Sequence, residues 1–213
     1  APFETVFTDT RAGVKGGLFF ALSGPNHDAH DYLDAALASG AHGLVISRED
    51  ALPESLPEDT FVAVVPDTRR ALGQLGSMVR SSLSGPVVAV TGSVGKTTVK
   101  DMTVAALGAF GACGRSPGNW NNEIGVPLSL FSLKGSERHV VLELGMSAPG
   151  EIAELTEMVK PDIGLVTTAA ASHLEFFESV DAIADAKAEL YGALPEGSRA
   201  VACADDERIL VRA

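Results

Sequence analysis

The residues with the clearest chemical potential form one short segment near the middle of the chain, Gly92-Ser93-Val94-Gly95-Lys96-Thr97-Thr98. Four apolar residues precede this segment, and a pattern typical of a helix over 96–110 follows it without a linker. A turn from a strand into a helix directs free backbone N–H groups and the positive end of the helix dipole at one point. We therefore predict an anion-binding loop in which Lys96 reaches terminal phosphates and the Thr97 hydroxyl ligates magnesium.

The spacing of the glycines supports this prediction in part. Gly92 and Gly95 can adopt a positive φ and let the backbone approach an oxyanion. The general phosphate-loop pattern has a further glycine five residues before Gly95, where this chain has Val90. The alternative is an ordinary glycine turn with an exposed lysine, although packing alone gives no reason for Gly-Lys-Thr-Thr after a buried strand.

Two further ionisable residues lie at or just beyond the predicted ends of strands. Glu143 belongs to the apolar run 140–144, and His173 follows the strand predicted over 163–168. Ligands of open parallel sheets bind outside the carboxyl ends of the strands, so we expect both residues beside the phosphate loop. Burial of an unpaired carboxylate costs free energy, so we expect a cation near Glu143, which magnesium would supply. The alternatives are a salt bridge or solvent contact for Glu143, and a hydrogen-bonded structural histidine for His173.

Three polar segments suggest surfaces for a polar substrate. Segment 118–127 combines three asparagines with two glycines and a proline, and segments 8–11 and 26–31 resist a packing explanation. The candidate substrate-binding residues in these segments are Thr10, Arg11, Asp28, His30, Asn119, Asn122 and Glu123. The alternatives are turn chemistry alone in the first segment, a solvated turn residue for Arg11 and a helix cap for Asp28.

The elements that must position these residues alternate between strands and helices. The N-terminal part has strand patterns over 5–8, 17–22, 43–47 and 61–65 and helical patterns over 29–38 and 67–83. After the phosphate loop, strands over 140–144, 163–168 and 199–203 alternate with helices over 150–159 and 180–194. Ser-Gly-Pro at 84–86 interrupts the pattern, so we place a domain boundary there. The sequence predicts an α/β protein with a small domain over 1–83 and a mostly parallel, phosphate-loop domain over 84–213.

Composition limits the class of protein. The chain has 213 residues, of which 46% are hydrophobic and 21% charged, as is typical of a soluble globular protein. Its formal net charge of −12 disfavours extended contact with nucleic acid or an anionic membrane. No apolar run approaches the roughly 18 residues of a membrane span, no leader is recognisable, and two cysteines are too few for a disulfide framework. We therefore expect a cytoplasmic protein without nucleic-acid partners or membrane insertion.

The motifs, taken in chain order, are similar to those of a known family. They are Thr-Gly-Ser-Val-Gly-Lys-Thr-Thr at 91–98, Asn-Trp-Asn-Asn-Glu-Ile-Gly-Val-Pro at 119–127, Glu-Leu-Gly at 143–145 with Gly-Glu-Ile at 150–152, and Ser-His-Leu-Glu at 172–175 with Ala-Asp-Ala-Lys-Ala-Glu-Leu at 184–190. Together they resemble the Mur ligases over nearly the whole chain. The Asn-Asn-Glu-Ile-Gly-Val-Pro segment resembles the members that add D-alanyl-D-alanine to UDP-N-acetylmuramoyl-tripeptide.

The resemblance implies an ATP-dependent amide-bond ligase of peptidoglycan precursor synthesis, which acts through an acyl phosphate. In such a ligase Lys96 and the backbone of residues 95–98 would hold the triphosphate, and Thr97 with Glu143 would hold one Mg²⁺ ion. His173 matches the family's ligand for a second magnesium ion, and Lys187 matches its carbamylated lysine. Without the resemblance, Lys187 is an ordinary helix lysine beside acidic neighbours. The resemblance also implies that the N-terminal domain binds the uridine nucleotide substrate and that the full-length protein is a monomer.

Two features depart from the family. Thr168 stands where relatives usually have asparagine, which leaves a polar contact from that side chain in doubt. Family members are also about twice as long and have a third domain for the incoming amino-acid substrate, so we expect a fragment with a truncated central domain that is inactive alone. The alternatives are another Mur-type or folylpolyglutamate-type ligase, and a phosphate-loop module that binds nucleotide without catalysis.

Overall fold

The computed structural model describes residues 3–12, 15–171 and 176–213. It divides the chain into two compact units, Ala1–Leu75 and Gly76–Ala213. Each unit has its own parallel sheet. The predicted α/β class is therefore confirmed.

The first unit is built on a four-stranded sheet whose order follows the sequence. Its strands are β1 (Val6–Phe7), β2 (Gly17–Phe20), β3 (Ala41–Ile46) and β4 (Phe61–Val64). The helix predicted over 29–38 is a 3-10 turn, Ala29–Tyr32, followed by α1 (Leu33–Ala38). Strand β2 is buried along its whole length, as expected for a parallel strand covered on both faces. All four strands run in one direction, so the segments that follow them meet at one edge of the sheet.

Helix α2 (Thr68–Ser82) contains the division between the two units. At its start, the Thr68 hydroxyl donates a hydrogen bond to Ala21 O at 2.8 Å in the first unit. In its second half, Arg80 Nε donates to Val159 O at 2.7 Å, and a Cβ on Gly76 would lie 3.0 Å from Pro127 Cβ. Packing therefore assigns the second half of α2 to the second unit, whereas the boundary predicted at 83/84 follows the end of this helix.

The second unit is built on a five-stranded parallel sheet in the order β6-β7-β5-β8-β9. The strands are β5 (Val87–Thr91), β6 (Cys113–Arg115), β7 (His139–Glu143), β8 (Ile163–Val166) and β9 (Arg199–Ala202). The helices are α3 (Lys96–Gly108), α4 (Gly125–Phe131), α5 (Glu151–Val159), α6 (Val180–Gly192) and α7 (Glu207–Leu210). Sequence patterns predict most of these elements within a few residues but miss β6, α4 and α7.

The helices cover the two faces of this sheet unequally. Helix α3 covers one face, where Val99 and Leu107 pack against Val88, Val90 and Val141. The larger core lies on the opposite face, beneath α4, α5 and α6. Side chains alternate along a strand, so Glu143 lies on the same face as Val141, beneath α3. The alternation thus brings a carboxylate to the helix that follows the phosphate loop.

A carboxylate fixes α6 against α5. Glu189 accepts hydrogen bonds from Gly150 N at 2.7 Å and Ala153 N at 3.3 Å, at the N-terminus of α5. A negative charge is favourable there because the first N–H groups of a helix lack partners and the dipole is positive. Glu189 is two residues from Lys187, so this contact also fixes the part of α6 that carries Lys187.

Two findings concern the whole of the described chain. Cys113 and Cys203 are both free thiols. Among the described residues, no helix combines the length and apolar character needed to span a bilayer.

Candidate functional site

The predicted phosphate loop joins β5 to α3 as a tight turn. Gly92 has φ 141° and Gly95 has φ 86°, so both glycines adopt the positive φ that the sequence predicts. The helical hydrogen bonds begin with Val99 N donating to Gly95 O at 2.8 Å. The preceding amides at the start of α3 have no partner within the helix and are directed toward its N-terminal end. This end of α3 has the geometry of an anion site.

The segment that follows β8 holds the loop in place. Ser93 donates from its N–H to Thr168 O at 2.7 Å and from its hydroxyl to Ala170 O at 3.0 Å. The Thr167 hydroxyl donates to Val94 O at 2.7 Å. Thr168 therefore supports the loop through its backbone carbonyl, a contact that does not depend on the asparagine usual in relatives. The Ser93 amide is used within the protein, so the anion site is built from the later amides.

Glu143 lies at the end of β7, next to Val90 of β5, and only 2% of it is exposed. The Thr97 hydroxyl donates to its Oε2 at 2.8 Å, and Asn121 Nδ2 donates to its Oε1 at 2.9 Å. Its own N–H donates to Ser116 Oγ at 3.0 Å. The predicted proximity of Glu143 to the phosphate loop is thus confirmed.

Lys100 is a member of this cluster that the sequence analysis missed. Its side chain is 2% exposed, its Nζ lies 3.5 Å from Glu143 Oε2, and it donates to Gly118 O at 2.9 Å. Thr97 and Lys100 are three residues apart on α3, so they lie on the same side of the helix. The available signal was this spacing, together with a lysine on the side of α3 that faces the sheet.

The donor set near Thr97 fits a magnesium ion. A hydroxyl oxygen and a carboxylate oxygen lie side by side at a helix N-terminus, and Mg²⁺ is commonly held by one carboxylate together with phosphates and water. The described residues contain no group of three or more His, Cys, Asp or Glu side chains that could hold a metal. Phosphate oxygens and water would complete the coordination sphere around Thr97 and Glu143.

A polar cleft of about 370 Å³ opens beside the loop. Its lining residues are Gly92, Ser93, Lys96, Asn121, Asn122, Glu123, Gly145, Met146, Ser147, Glu151 and Lys187. Lys96 Nζ donates to Gly92 O at 2.8 Å, within the loop itself. Burial and the positive charge of Lys96 lower the pKa of Lys187 to about 8, while Glu189 acts in the opposite direction. Two cationic side chains that line one cleft favour an anion between them.

The asparagine-rich segment has a mixed outcome. Glu123 lines the cleft, and Asn122 also caps α4 by accepting from Gly125 N at 2.8 Å. Asn119 is exposed and does not belong to the cleft lining. Asn121, which the sequence analysis did not select, makes the contact with Glu143. This segment therefore contains both features considered from the sequence: a turn stabilised by Asn122 and a polar surface that lines the cleft.

Three of the four polar residues predicted in the first unit, Arg11, Asp28 and His30, have partners within that unit. Arg11, in a 3-10 turn after β1, pairs with Asp9 at 2.6 Å. The His30 ring is buried: its Nδ1 lies 2.6 Å from Asp28 Oδ1, and its Nε2 accepts from Ser47 N at 2.9 Å.

These contacts favour a structural role for His30, because both ring nitrogens are occupied. The His30 backbone N–H holds the pKa of Asp28 well below its usual range. Asp28 caps the 3-10 turn at Ala29–Tyr32, as considered from the sequence, and also accepts from Arg48 Nη1 at 2.9 Å. Thr10 lies in the same turn as Arg11. Substrate contacts by these residues stay predictions, and His173 lies outside the described residues.

The strand, glycine turn and helix at the carboxyl edge of a parallel sheet place the second unit in the phosphate-loop class of α/β folds. Residues 90–213 match the family described as "Mur ligase middle domain". The chain belongs to the Mur ligase family.

Three relatives with more than 30% sequence identity illustrate the similarity. The UDP-N-acetylmuramoyl-tripeptide–D-alanyl-D-alanine ligase of Escherichia coli (strain K12) is 44% identical over 95% of this chain and 44% of the relative. MurF from Acinetobacter baumannii has a TM-score of 0.87 and 32% identity over 97% of this chain and 45% of that structure. MurF ligase from Thermotoga maritima, in complex with ADP, has a TM-score of 0.86 and 31% identity over 97% of this chain and 47% of that structure. The chain thus spans about half the length of these relatives.

Replacing Gly92 by alanine tests the packing of the loop. The new Cβ would collide with Thr167 Oγ1 on a backbone with φ 141°, so we expect Gly92→Ala to destabilise the protein by about 2 kcal/mol or more. Gly108 is the control, because a Cβ there meets nothing within 4 Å at the end of α3. We expect Gly108→Ala to stabilise by up to about 1 kcal/mol. Urea unfolding measures both, and equal effects would contradict the proposed contact.

Proposed function

We propose that the second unit binds Mg-ATP at the phosphate loop, and that the chain forms the substrate-binding and ATP-binding part of a ligase. This ligase adds D-alanyl-D-alanine to UDP-N-acetylmuramoyl-tripeptide. The observation that carries the proposal is the 2.8 Å contact between Thr97 and Glu143 at the N-terminus of α3, directly beside Lys96. The ADP bound to the Thermotoga maritima relative supports it.

The residues of the loop suit a triphosphate. The unpaired amides at the start of α3 donate to phosphate oxygens, and the helix dipole adds to their effect. Lys96 exchanges its bonds to the Gly92 and Ser93 carbonyls for a charge-assisted bond to a terminal phosphate. Thr97 and Glu143 would hold the magnesium ion, which would neutralise negative charge that builds up as the phosphoryl group is transferred.

The cleft suits the carboxylate that receives the phosphoryl group. In the proposed reaction this substrate carboxylate attacks the γ-phosphate of ATP and displaces ADP. The amine of D-alanyl-D-alanine then displaces phosphate from the acyl phosphate and loses a proton as the amide bond forms. Lys96 places a positive charge in this cleft, which Lys187 also lines. The positive charges of Lys96 and of a bound magnesium ion would reduce the repulsion between a carboxylate and a triphosphate, which must approach each other before they react.

We propose the first unit as the binder of the uridine nucleotide. Arg11, Asp28 and Arg48 follow successive strands of its parallel sheet, so they lie along the carboxyl edge where ligands of such sheets bind. Arg48 is a residue that the sequence analysis did not select. Its side chain is 47% exposed while it pairs with Asp28, so part of its guanidinium stays accessible to a phosphate group.

The role of Lys96 is tested by calorimetric titration of the 213-residue chain with Mg-ATP. Removal of a charge-assisted phosphate contact costs about 1.5–3 kcal/mol, so we expect Lys96→Ala to weaken binding by about tenfold or more. Lys134→Ala removes an exposed lysine outside the cleft and is the matched control. Unchanged affinity in Lys96→Ala, or an equal loss in the control, would refute the assignment.

We expect no ligation by this chain alone, because the relatives that it matches are about twice as long. Acyl transfer to an amine depends on holding both reactants in register, and effective molarities of about 10⁵–10⁸ M are lost when one is unbound. The assay mixes the chain with Mg-ATP, UDP-N-acetylmuramoyl-tripeptide and D-alanyl-D-alanine and detects product by mass spectrometry. Robust product formation would show that the chain contains a complete acceptor site.

We also propose that Lys187 reacts with carbon dioxide to form a carbamate. Its match to the family's carbamylated lysine and its burial in the cleft support this modification. Among the described residues, no hydrogen bond or ion pair is recorded for its Nζ, and Lys96 lies near enough to lower its pKa. A carbamate would replace this repulsion between two cations by an attraction.

The carbamate is detected by ¹³C NMR of the chain equilibrated with ¹³C-bicarbonate at mildly alkaline pH, where part of the Lys187 amine is neutral. We expect a carbamate resonance in the unsubstituted chain and in Lys134→Ala, and its loss in Lys187→Ala. A resonance that survives in Lys187→Ala would assign the modification to another amine. A chain without any such resonance would contradict the proposal.

A further inference from the structure

The cluster around Glu143 contains a cation that the nucleotide site as proposed does not use. Lys100 and Glu143 are each 2% exposed, and their charged atoms lie 3.5 Å apart. Water screens such a pair poorly, so each charge depends strongly on the other. Lys96 is directed elsewhere, because its Nζ donates to the Gly92 and Ser93 carbonyls.

The geometry around the carboxylate is specific. Lys100 and Thr97 both approach Oε2, whereas Asn121 donates to Oε1. Lys100 is itself held by Gly118 O at 2.9 Å. The four side chains therefore form a fixed arrangement in which the carboxylate cannot rotate without losing a partner. The net charge of these four side chains is zero, because the positive charge of Lys100 balances the negative charge of Glu143.

We propose that Lys100 is a positioning residue for the magnesium site. In the metal-free protein its ammonium group pairs with the Glu143 carboxylate and helps to hold it directed at Thr97. Because Lys100 already neutralises this carboxylate, Mg²⁺ alone gains little by binding, and the ion is admitted together with the negative charge of the nucleotide. The proposal rests on the assignment of Thr97 and Glu143 as magnesium ligands.

A double-mutant cycle in metal-free buffer tests the pairing without any nucleotide. Lys100→Met leaves a buried carboxylate without its cation, so we expect the unfolding midpoint to fall by about 10 °C. Glu143→Gln removes the negative charge that Lys100 compensates. Adding Lys100→Met to the Glu143→Gln variant should therefore lower the unfolding midpoint by no more than about 3 °C. The lost bond to Gly118 is common to both backgrounds and cancels in the cycle.

Magnesium alone is the second probe. We expect millimolar Mg²⁺ to raise the midpoint of Lys100→Met, because the metal replaces the missing cation, and to leave the unsubstituted chain and the double variant unchanged. Arg115→Met is the matched control: Arg115 also borders the Thr97 and Lys100 side chains, but its side chain is 57% exposed. We expect it to change neither the midpoint nor the magnesium response appreciably.

The outcomes separate this proposal from the nucleotide assignment. Equal losses from Lys100→Met in both backgrounds would overturn it and leave Lys100 as a support for Gly118 only. If the cycle shows coupling but Mg²⁺ does not raise the midpoint of Lys100→Met, the claim that Lys100 controls magnesium binding is wrong. If Lys100→Met does not fold, a folded double variant supports the pairing, whereas failure of both contradicts it. A chain that passes both tests but does not bind Mg-ATP would refute the proposed function instead.

Discussion

The burial of one carboxylate is the constraint on which the site depends. Glu143 ends a central strand almost without solvent contact, and a bare charge there would be costly. The protein compensates with a hydroxyl, an amide and an ammonium group from three separate places, the start of α3, the asparagine-rich segment and the next turn of α3. These partners fix the position of the helix that carries the phosphate loop. The same contacts that compensate the buried carboxylate thus assemble the proposed nucleotide site.

The register of the parallel sheet makes this compensation possible. Val90 of β5 is paired with Glu143 of β7, and Thr91 is paired with Val166 of β8, so the segments after three adjacent strands meet at one edge. A slip of one residue in β7 would turn Glu143 toward the larger core on the opposite face, where Leu142 and Leu144 pack. The same slip would turn Leu142 and Leu144 out of the larger core. The alternation of apolar side chains along β7 therefore fixes the register that places Glu143 at the site.

The sequence was informative wherever a motif and an element coincide. The strand, glycine turn and helix at 87–108 follow from local chemistry, and so do the positive φ values of Gly92 and Gly95. The proximity of Glu143 to the phosphate loop followed from the rule for carboxyl edges, whereas its association with Thr97 was implied by the family resemblance. Lys100 was missed although it lies three residues after Thr97, because a helix lysine looks solvent-exposed until the strand beneath it is known. Helix α4 was hidden because Gly125 and Pro127 indicate a turn, whereas proline is tolerated in the first turn of a helix.

The close approach of Gly92 and Thr167 also constrains how the protein can evolve. Position 92 is restricted twice, by its positive φ and by the Thr167 hydroxyl that occupies the space of a Cβ. Position 167 is restricted once, by the bond that its hydroxyl donates to Val94 O. A lineage could therefore lose the hydroxyl at 167 and keep a working turn, but it could not replace the glycine first. Sequence change at this edge of the sheet has a preferred order, and the glycine comes last.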